Sequence, residues 1–294
     1  MAKDTSRINK AVIAAAGYGT RFLPATKNQP KEMLPIVDKP IIQYLVEDAV
    51  EAGIENIIIV TRLGHSALED HFDSNTELKR VLEAAGKEKY LKEVKKIPMM
   101  ANYVYVRQKD NLPYGNASPL LAAKHLIDDD ESFIFMFGDD LVLSKVSACA
   151  QLIKMWEKDP QSNFLAVQEI PRKETNRYGI VKLKEGSENE IESIIEKPSP
   201  ENAPSTLAQY GRFIFNYNIF NYLNPKGTGK GGELWLADAI ADLAKTERVK
   251  IANLDGQWLT TGDPLRYLKT TILYALEREE LSQPLRKFLK NILS

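Results

Sequence analysis

Five apolar stretches in the first 170 residues constrain the fold more than any other feature of the chain. They are AVIAA (11–15), NIIIV (56–60), YVYVRQ (103–108), FIFMF (133–137) and NFLAVQEI (163–170). Between them lie segments whose apolar positions recur every three or four residues, such as PIIQYLVEDAVEAG (40–53), ASPLLAAKHL (117–126) and SACAQLIKMWEKD (147–159). Continuous apolar strands alternating with amphipathic helices are buried on both faces, which predicts an α/β fold around a mostly parallel, mixed sheet flanked by helices. Ligands of such sheets bind beyond the carboxyl ends of the strands. Two glycine-containing turns fall there: Gly17-Tyr18-Gly19 after the first stretch and Gly138-Asp139-Asp140 after the fourth.

The rest of the chain changes character. Residues 74–98 are dense in Lys and Glu and read as a helical surface excursion with a solvated face. From 177, short alternating segments surround an EGSEN turn, the pattern of a hairpin. A glycine-rich loop (KGTGKGGE, 226–233) precedes a helical ELWLADAIADLAKT, a strand-like VKIANLD, the segment WLTTGDP and a helical tail from residue 265. The tail is suited to packing on the core or to joining subunits.

With 39 Lys+Arg against 40 Asp+Glu, bulk charge gives no support to nucleic-acid binding. The single cysteine, Cys149, cannot form an internal disulfide, which suits a reducing compartment, and its alanine neighbours place it on a buried helix face. No apolar run reaches the ~20 residues of a membrane span, and the polar N-terminus lacks a signal-peptide core. The expected location is the cytoplasm. His65, His71 and His125 have no zinc-ligand spacing.

Three constellations carry chemistry. In the first, Arg21, Lys27 and Lys31 follow the glycine turn, so backbone N–H groups and cations converge on a phosphate-bearing ligand. The turn lacks the third glycine of a dinucleotide fingerprint and the Gly-Lys-Ser/Thr of a P-loop, and a plain strand-turn of small residues is the simpler alternative. In the second, Asp139 and Asp140 at a strand end suit Mg²⁺, with Asp139 as the ligand. Asp140 or Ser144 as a helix N-cap is the competing reading. In the third, Glu196-Lys197 offers a carboxylate to sugar hydroxyls and an ammonium to a phosphate, a weak signal alone.

Together with VRQKDNLPYGNA (106–117), FGDD (137–140), RYGIV (177–181), IIEKPSPENAPSTLAQYGRFIF (194–215) and GKGGELWLADAI (229–240), these motifs run through nearly the whole chain. They resemble the bacterial UTP–glucose-1-phosphate uridylyltransferase (UDP-glucose pyrophosphorylase) family, within the sugar-nucleotide pyrophosphorylases. The resemblance implies a Rossmann-like nucleotide-diphospho-sugar transferase fold. It is one domain over 1–294, with a nucleotide-binding part at about 8–170, a sugar-binding part at about 171–264 and a helical tail at about 265–294. It implies transfer of uridylyl from UTP to glucose 1-phosphate, giving UDP-glucose and pyrophosphate, with Mg²⁺ and a homodimer or homotetramer. By motif, Ala16 and Gly17 meet the nucleotide, Arg21 and Lys31 its phosphates, and Gln108 with Gly115 the uracil. Asp139 takes the metal, Gly179 and Glu196 the glucose hydroxyls, and Lys197 the sugar phosphate. Arg21, Lys31, Asp139 and Lys197 form the catalytic set.

The chain departs from that family in several places. Thr260 stands where a second metal-binding aspartate is expected, with Asp140 or Asp263 as candidate substitutes. Asn116 replaces a histidine, Pro113-Tyr114 replaces a glycine-containing pair, and Trp235 replaces a glutamine beside the sugar. These changes leave open an enzyme for dTTP or another hexose 1-phosphate, and a weakly active regulatory paralogue.

Overall fold

The computed structural model describes residues 7–293, so the polar segment 1–6 lies outside the described residues. In chain order the first elements are β1 (Lys10–Ala14), β2 (Pro35–Ile36), β3 (Lys39–Pro40), α1 (Ile41–Glu51), β4 (Asn56–Thr61), α2 (Ser66–Phe72), α3 (Thr76–Ala84) and α4 (Glu88–Lys96). There follow β5 (Asn102–Arg107), α5 (Ser118–Ala123), β6 (Ser132–Phe137), β7 (Asp140–Leu143), α6 (Ala148–Trp156) and β8 (Asn163–Glu169). The remainder comprises β9 (Gly179–Leu183), β10 (Ile191–Glu196), β11 (Leu207–Asn216), α7 (Leu236–Leu243), β12 (Val249–Asn253), β13 (Gln257–Thr260), α8 (Pro264–Leu276) and α9 (Glu279–Leu293).

Alternate residues of the central strands enter two different cores, the reason these strands read as unbroken apolar runs. Val12, Ile58, Val60 and Phe135 pack on one face with Leu120 of α5 and Ile240 of α7. Ile13, Ile57, Ile59 and Met136 pack on the other with Leu45 of α1 and Leu152 and Trp156 of α6. Each such side chain contributes about 1.5–3 kcal/mol of apolar burial.

The main sheet runs β10-β9-β11-β6-β1-β4-β5, with β8 also paired to β11 and β12 to β8. Strands β6, β1, β4 and β5 are mutually parallel, whereas β11 joins β6, β8 and β9 in antiparallel fashion. The sheet is therefore parallel where strands and helices alternate, and antiparallel where the sequence shows a hairpin. That hairpin is β9–β10, closed through the EGSEN turn.

Two features differ from the sequence expectation. Asp140 opens a short strand, β7, which pairs with β13 and brings Thr260 opposite Asp140. Neither Asp140 nor Ser144 caps the following helix. Ser147 does so, accepting from the Ala150 amide at 3.0 Å. The C-terminal run is two helices, held to the body by Tyr267 of α8, whose hydroxyl donates to the Pro35 carbonyl at 2.5 Å, and by Arg278, between α8 and α9, on Asp38. Cys149 is buried in α6 beside Asp48, and burial first, then that carboxylate, hold its thiol well above the usual range. Among the described residues, no helix is long and apolar enough to cross a membrane.

Candidate active site

A cleft of about 410 Å³ opens at the carboxyl ends of β1 and β6 and extends over the hairpin. All ten residues expected at the site line it: Ala16, Gly17, Arg21, Lys31, Gln108, Gly115, Asp139, Gly179, Glu196 and Lys197. Asp140, Thr260 and Trp235 line it as well, whereas Lys27 and Asp263 do not.

At the end formed by the parallel strands, Arg21 and Lys31 project from two single helical turns, Thr20–Phe22 and Lys31–Met33. Lys31 Nζ donates to Asp139 Oδ2 at 2.5 Å. Burial opposes the ammonium, but Asp139 and then Glu32 more than offset it and hold the Lys31 pKa above its usual value. Arg21 Nη1 donates to the Gly262 carbonyl at 3.0 Å. A Cβ built on Gly262 would stand 3.2 Å from Asp139 Oδ2, 3.4 Å from Thr260 Oγ1 and 3.5 Å from Arg21 Nη1, so these groups converge on one spot.

The acidic turn is held from below. Asp140 is buried, and its Oδ2 accepts from the Gly211 amide at 2.9 Å. Burial, and then the neighbouring Asp139, push its pKa up to about 6. Arg212 is fully buried in β11, where its Nε donates to Asp48 Oδ2 at 2.9 Å and its Nη1 to the Asp140 and Gly211 carbonyls. Removing one member of such a buried pair typically costs about 3–5 kcal/mol. Asp263 has other work. Its Oδ1 accepts from the Arg266 amide to cap α8, and its Oδ2 accepts from Arg177 and Arg266. Burial raises its pKa, but the Arg266 hydrogen bonds bring it below the usual value.

Gln108 follows β5, its amide donating to the Thr61 carbonyl at 2.8 Å. Gly115 is required by close approach: a Cβ there would lie 2.2 Å from the Leu234 carbonyl oxygen, and its φ of 144° favours glycine. Across this contact the Leu234 amide donates to Tyr114 and the Ala117 amide to Leu234. Asn116 adds a third link, its Oδ1 accepting from the Leu236 amide at the start of α7 at 2.8 Å. Tyr18 and Tyr114 stand at the rim, and the Arg62 guanidinium covers the Tyr18 ring at 3.3 Å.

At the hairpin end, Glu196 closes β10 opposite Gly179. Its Oε2 is buried without a hydrogen-bond partner among the described residues, while Oε1 lies 3.4 Å from Lys197 Nζ. Burial raises the Glu196 pKa against the pull of Lys197. Lys197 has a φ of 46°, a conformation that costs about 1–3 kcal/mol and is typical of functional positions. Its ammonium sits 4.0 Å from the centre of the Trp235 ring. The residue replacing the expected glutamine is thus a cation–π support for the lysine.

Two buried polar lining residues escape the sequence reading. Glu32 is 1% exposed, neither carboxylate oxygen has a hydrogen-bond partner among the described residues, and burial raises its pKa to about 7 against Lys31 at 3.8 Å. Gln209, within β11, is also buried and lines the cleft. The one signal for Glu32 is its adjacency to Lys31 in the cation-bearing run; Gln209 has none beyond being polar inside an apolar strand.

The profile of the nucleotidyl transferase family matches residues 10–275. A UTP–glucose-1-phosphate uridylyltransferase of Bacillus subtilis (strain 168) is 44% identical over 290 residues, covering 98% of this chain and 98% of its own. A UDP-glucose pyrophosphorylase solved in complex with UDP-glucose superposes with a TM-score of 0.82 at 37% identity, covering 92% of this chain and all of its own. A UTP-bound UGPase from Acinetobacter baumannii superposes with a TM-score of 0.86 at 35% identity, covering 98% and 99%.

Proposed function

The chain belongs to the nucleotidyl transferase family, and we propose that it transfers uridylyl from UTP to glucose 1-phosphate, releasing pyrophosphate and forming UDP-glucose. One observation carries this reading: a single cleft has Arg21, Lys31 and Asp139 at one end and Glu196 and Lys197 at the other. That distribution suits a triphosphate meeting a sugar phosphate. Relatives at this level of identity carry the same activity in their names, and solved neighbours hold UTP and UDP-glucose.

In the reaction a phosphate oxygen of glucose 1-phosphate attacks the α-phosphorus of UTP. The bond from that phosphorus to the oxygen bridging to the β-phosphate breaks, and pyrophosphate leaves. The sugar phosphate is already ionised at neutral pH, so no strong base is needed, and positioning with charge neutralisation supplies the catalysis. Arg21 forks across phosphate oxygens, while Lys31 acts as a point charge shared between Asp139 and the triphosphate. Gln108 and the Gly115 backbone read the uracil edge, next to the Ala16-Gly17 turn. Lys197, steadied on Trp235, holds the attacking phosphate, and Glu196 accepts from glucose hydroxyls.

Enzymes of this family generally use a divalent cation. Asp139 Oδ2 and Thr260 Oγ1 face one spot in the cleft, a sparse donor set that fits Mg²⁺, which keeps waters and takes phosphate oxygens from its substrate. Asp139 would hold the ion, with Thr260 nearby, and the charge it would supply there is an offset to that of the phosphates. Asp140 and Asp263 are engaged elsewhere by Gly211 and by Arg177 with Arg266.

Pyrophosphate release across a panel of nucleoside triphosphates and hexose 1-phosphates tests the reading. Turnover should be highest with UTP and glucose 1-phosphate. Preference for dTTP or another hexose would replace the specificity, and no turnover with any pair would leave only binding.

A further inference from the structure

The floor of the hairpin end is built around a residue without a side chain. Gly179 on β9 is the register partner of Glu196 on β10, and the next residue, Ile180, is the partner of Ala208 on β11. Gln209 follows Ala208, and its side chain lies over the glycine from the side opposite Glu196. A Cβ on Gly179 would stand 2.9 Å from Gln209 Cγ and 3.3 Å from Nε2, so glycine is what lets the amide lie there. The pairing of β11 with β8 also slips between Gln209 and Phe213, a bulge of the kind that re-aims a side chain beside a site.

Gln209 is 5% exposed, lines the cleft, and its Oε1 has no hydrogen-bond partner among the described residues. Glu196 Oε2 is in the same state across Gly179. Buried acceptors left unpaired are unfavourable, so two of them around one glycine mark a surface completed by a ligand rich in donors. Hydroxyls are such donors. A second carboxylate would repel both Glu196 and an incoming phosphate; a neutral amide does not.

Building on the proposed reaction, we infer that Gln209 is a specificity-determining residue that accepts a hydrogen bond from one hydroxyl of the sugar 1-phosphate, distinct from the hydroxyl bound by Glu196. The amide expected at position 235, just before α7, is thereby replaced by one from strand β11, while Trp235 serves Lys197.

The test measures initial rates of wild type, Gln209→Met and Gln209→Asn at saturating UTP. The sugars are glucose 1-phosphate and its 2-, 3-, 4- and 6-deoxy analogues. Wild type should lose about tenfold in kcat/KM on the analogue lacking the hydroxyl that Gln209 reads. Gln209→Met should lose about tenfold on glucose 1-phosphate and nothing further on that one analogue, with KM for UTP within about twofold of wild type. Gln209→Asn keeps the amide but shortens its reach, and should show the same pattern should the methionine variant not fold. Equal losses on every sugar and on UTP, or retention within about twofold on glucose 1-phosphate, overturn the inference while leaving the proposed reaction intact. Failure of wild type to use any hexose 1-phosphate with UTP overturns both.

Discussion

Lys31 and Asp139 meet at 2.5 Å beside the glycine turn, whereas Glu196 Oε2 and Gln209 Oε1, at the hairpin end of the same cleft, have no hydrogen-bond partner. The first end holds a short internal ion pair, with the unpartnered Glu32 carboxylate buried behind it, and must share that pair's charges when a polyanion arrives. The second stores unmet acceptors and gains its partners only from a ligand. The difference follows from the substrates proposed for each. A triphosphate is recognised by charge, which has to be balanced in its absence; a hexose is recognised by hydroxyl geometry, which a neutral or singly charged acceptor can await.

The largest test of this contrast is Lys31→Met, which leaves Asp139 and Glu32 without their cation. It is expected to lower kcat by about 10²- to 10³-fold, measured as pyrophosphate release at saturating substrates. A loss confined to KM for the sugar would erase the distinction between the ends. Next in size, Glu196→Gln removes a charged acceptor and should raise KM for glucose 1-phosphate by about 10- to 100-fold with KM for UTP unchanged. Equal effects on both substrates would mean that the hairpin end is not a separate reader.

Trp235→Ala sharpens the comparison further, since it removes the ring beneath the Lys197 ammonium without touching Glu196. Its expected effect is about five- to tenfold on the sugar KM, with Trp235→Phe recovering most of it. An unrecovered loss in the phenylalanine variant would point to packing against Gly229 instead, where a Cβ would lie 3.1 Å from Trp235 Cδ1. The smallest effect is expected for Thr260→Asp, which adds a carboxylate opposite Asp140 and beside Asp139. A Mg²⁺ titration of activity should then reach half-saturation at a lower concentration with little change in maximal rate. An unchanged titration curve would remove position 260 from the metal's surroundings.

The two ends also differ in how far the sequence discloses them. The parallel half is legible because β1, β4 and β6 are buried on both faces, and burial writes itself as unbroken apolar runs, those of β1 and β6 leading into glycine turns. Strands of two to four residues leave no such trace, and so β2, β3 and β7 are absent from the sequence reading. Buried polar side chains are hidden for another reason. Gln209 and Arg212 read only as polar positions of a strand, and contacts far away in sequence, with Gly179 for Gln209 and with Asp48 and Asp140 for Arg212, put them inside. Glu32 is concealed in the opposite way, as one more charge in a run full of them. The motif resemblance located the cleft's ten expected residues, but it did not single out Glu32 and Gln209.

For redesign, the seam between residues 114–117 and 234–236 sets the practical unit. Gly115 touches the Leu234 backbone, Asn116 holds the Leu236 amide, and Trp235 between them carries Lys197. A loop swap meant to change the base would therefore reposition the lysine proposed to hold the sugar phosphate. A library varying either stretch alone would select mostly for repair of the seam. The two segments have to be exchanged together, as one cassette.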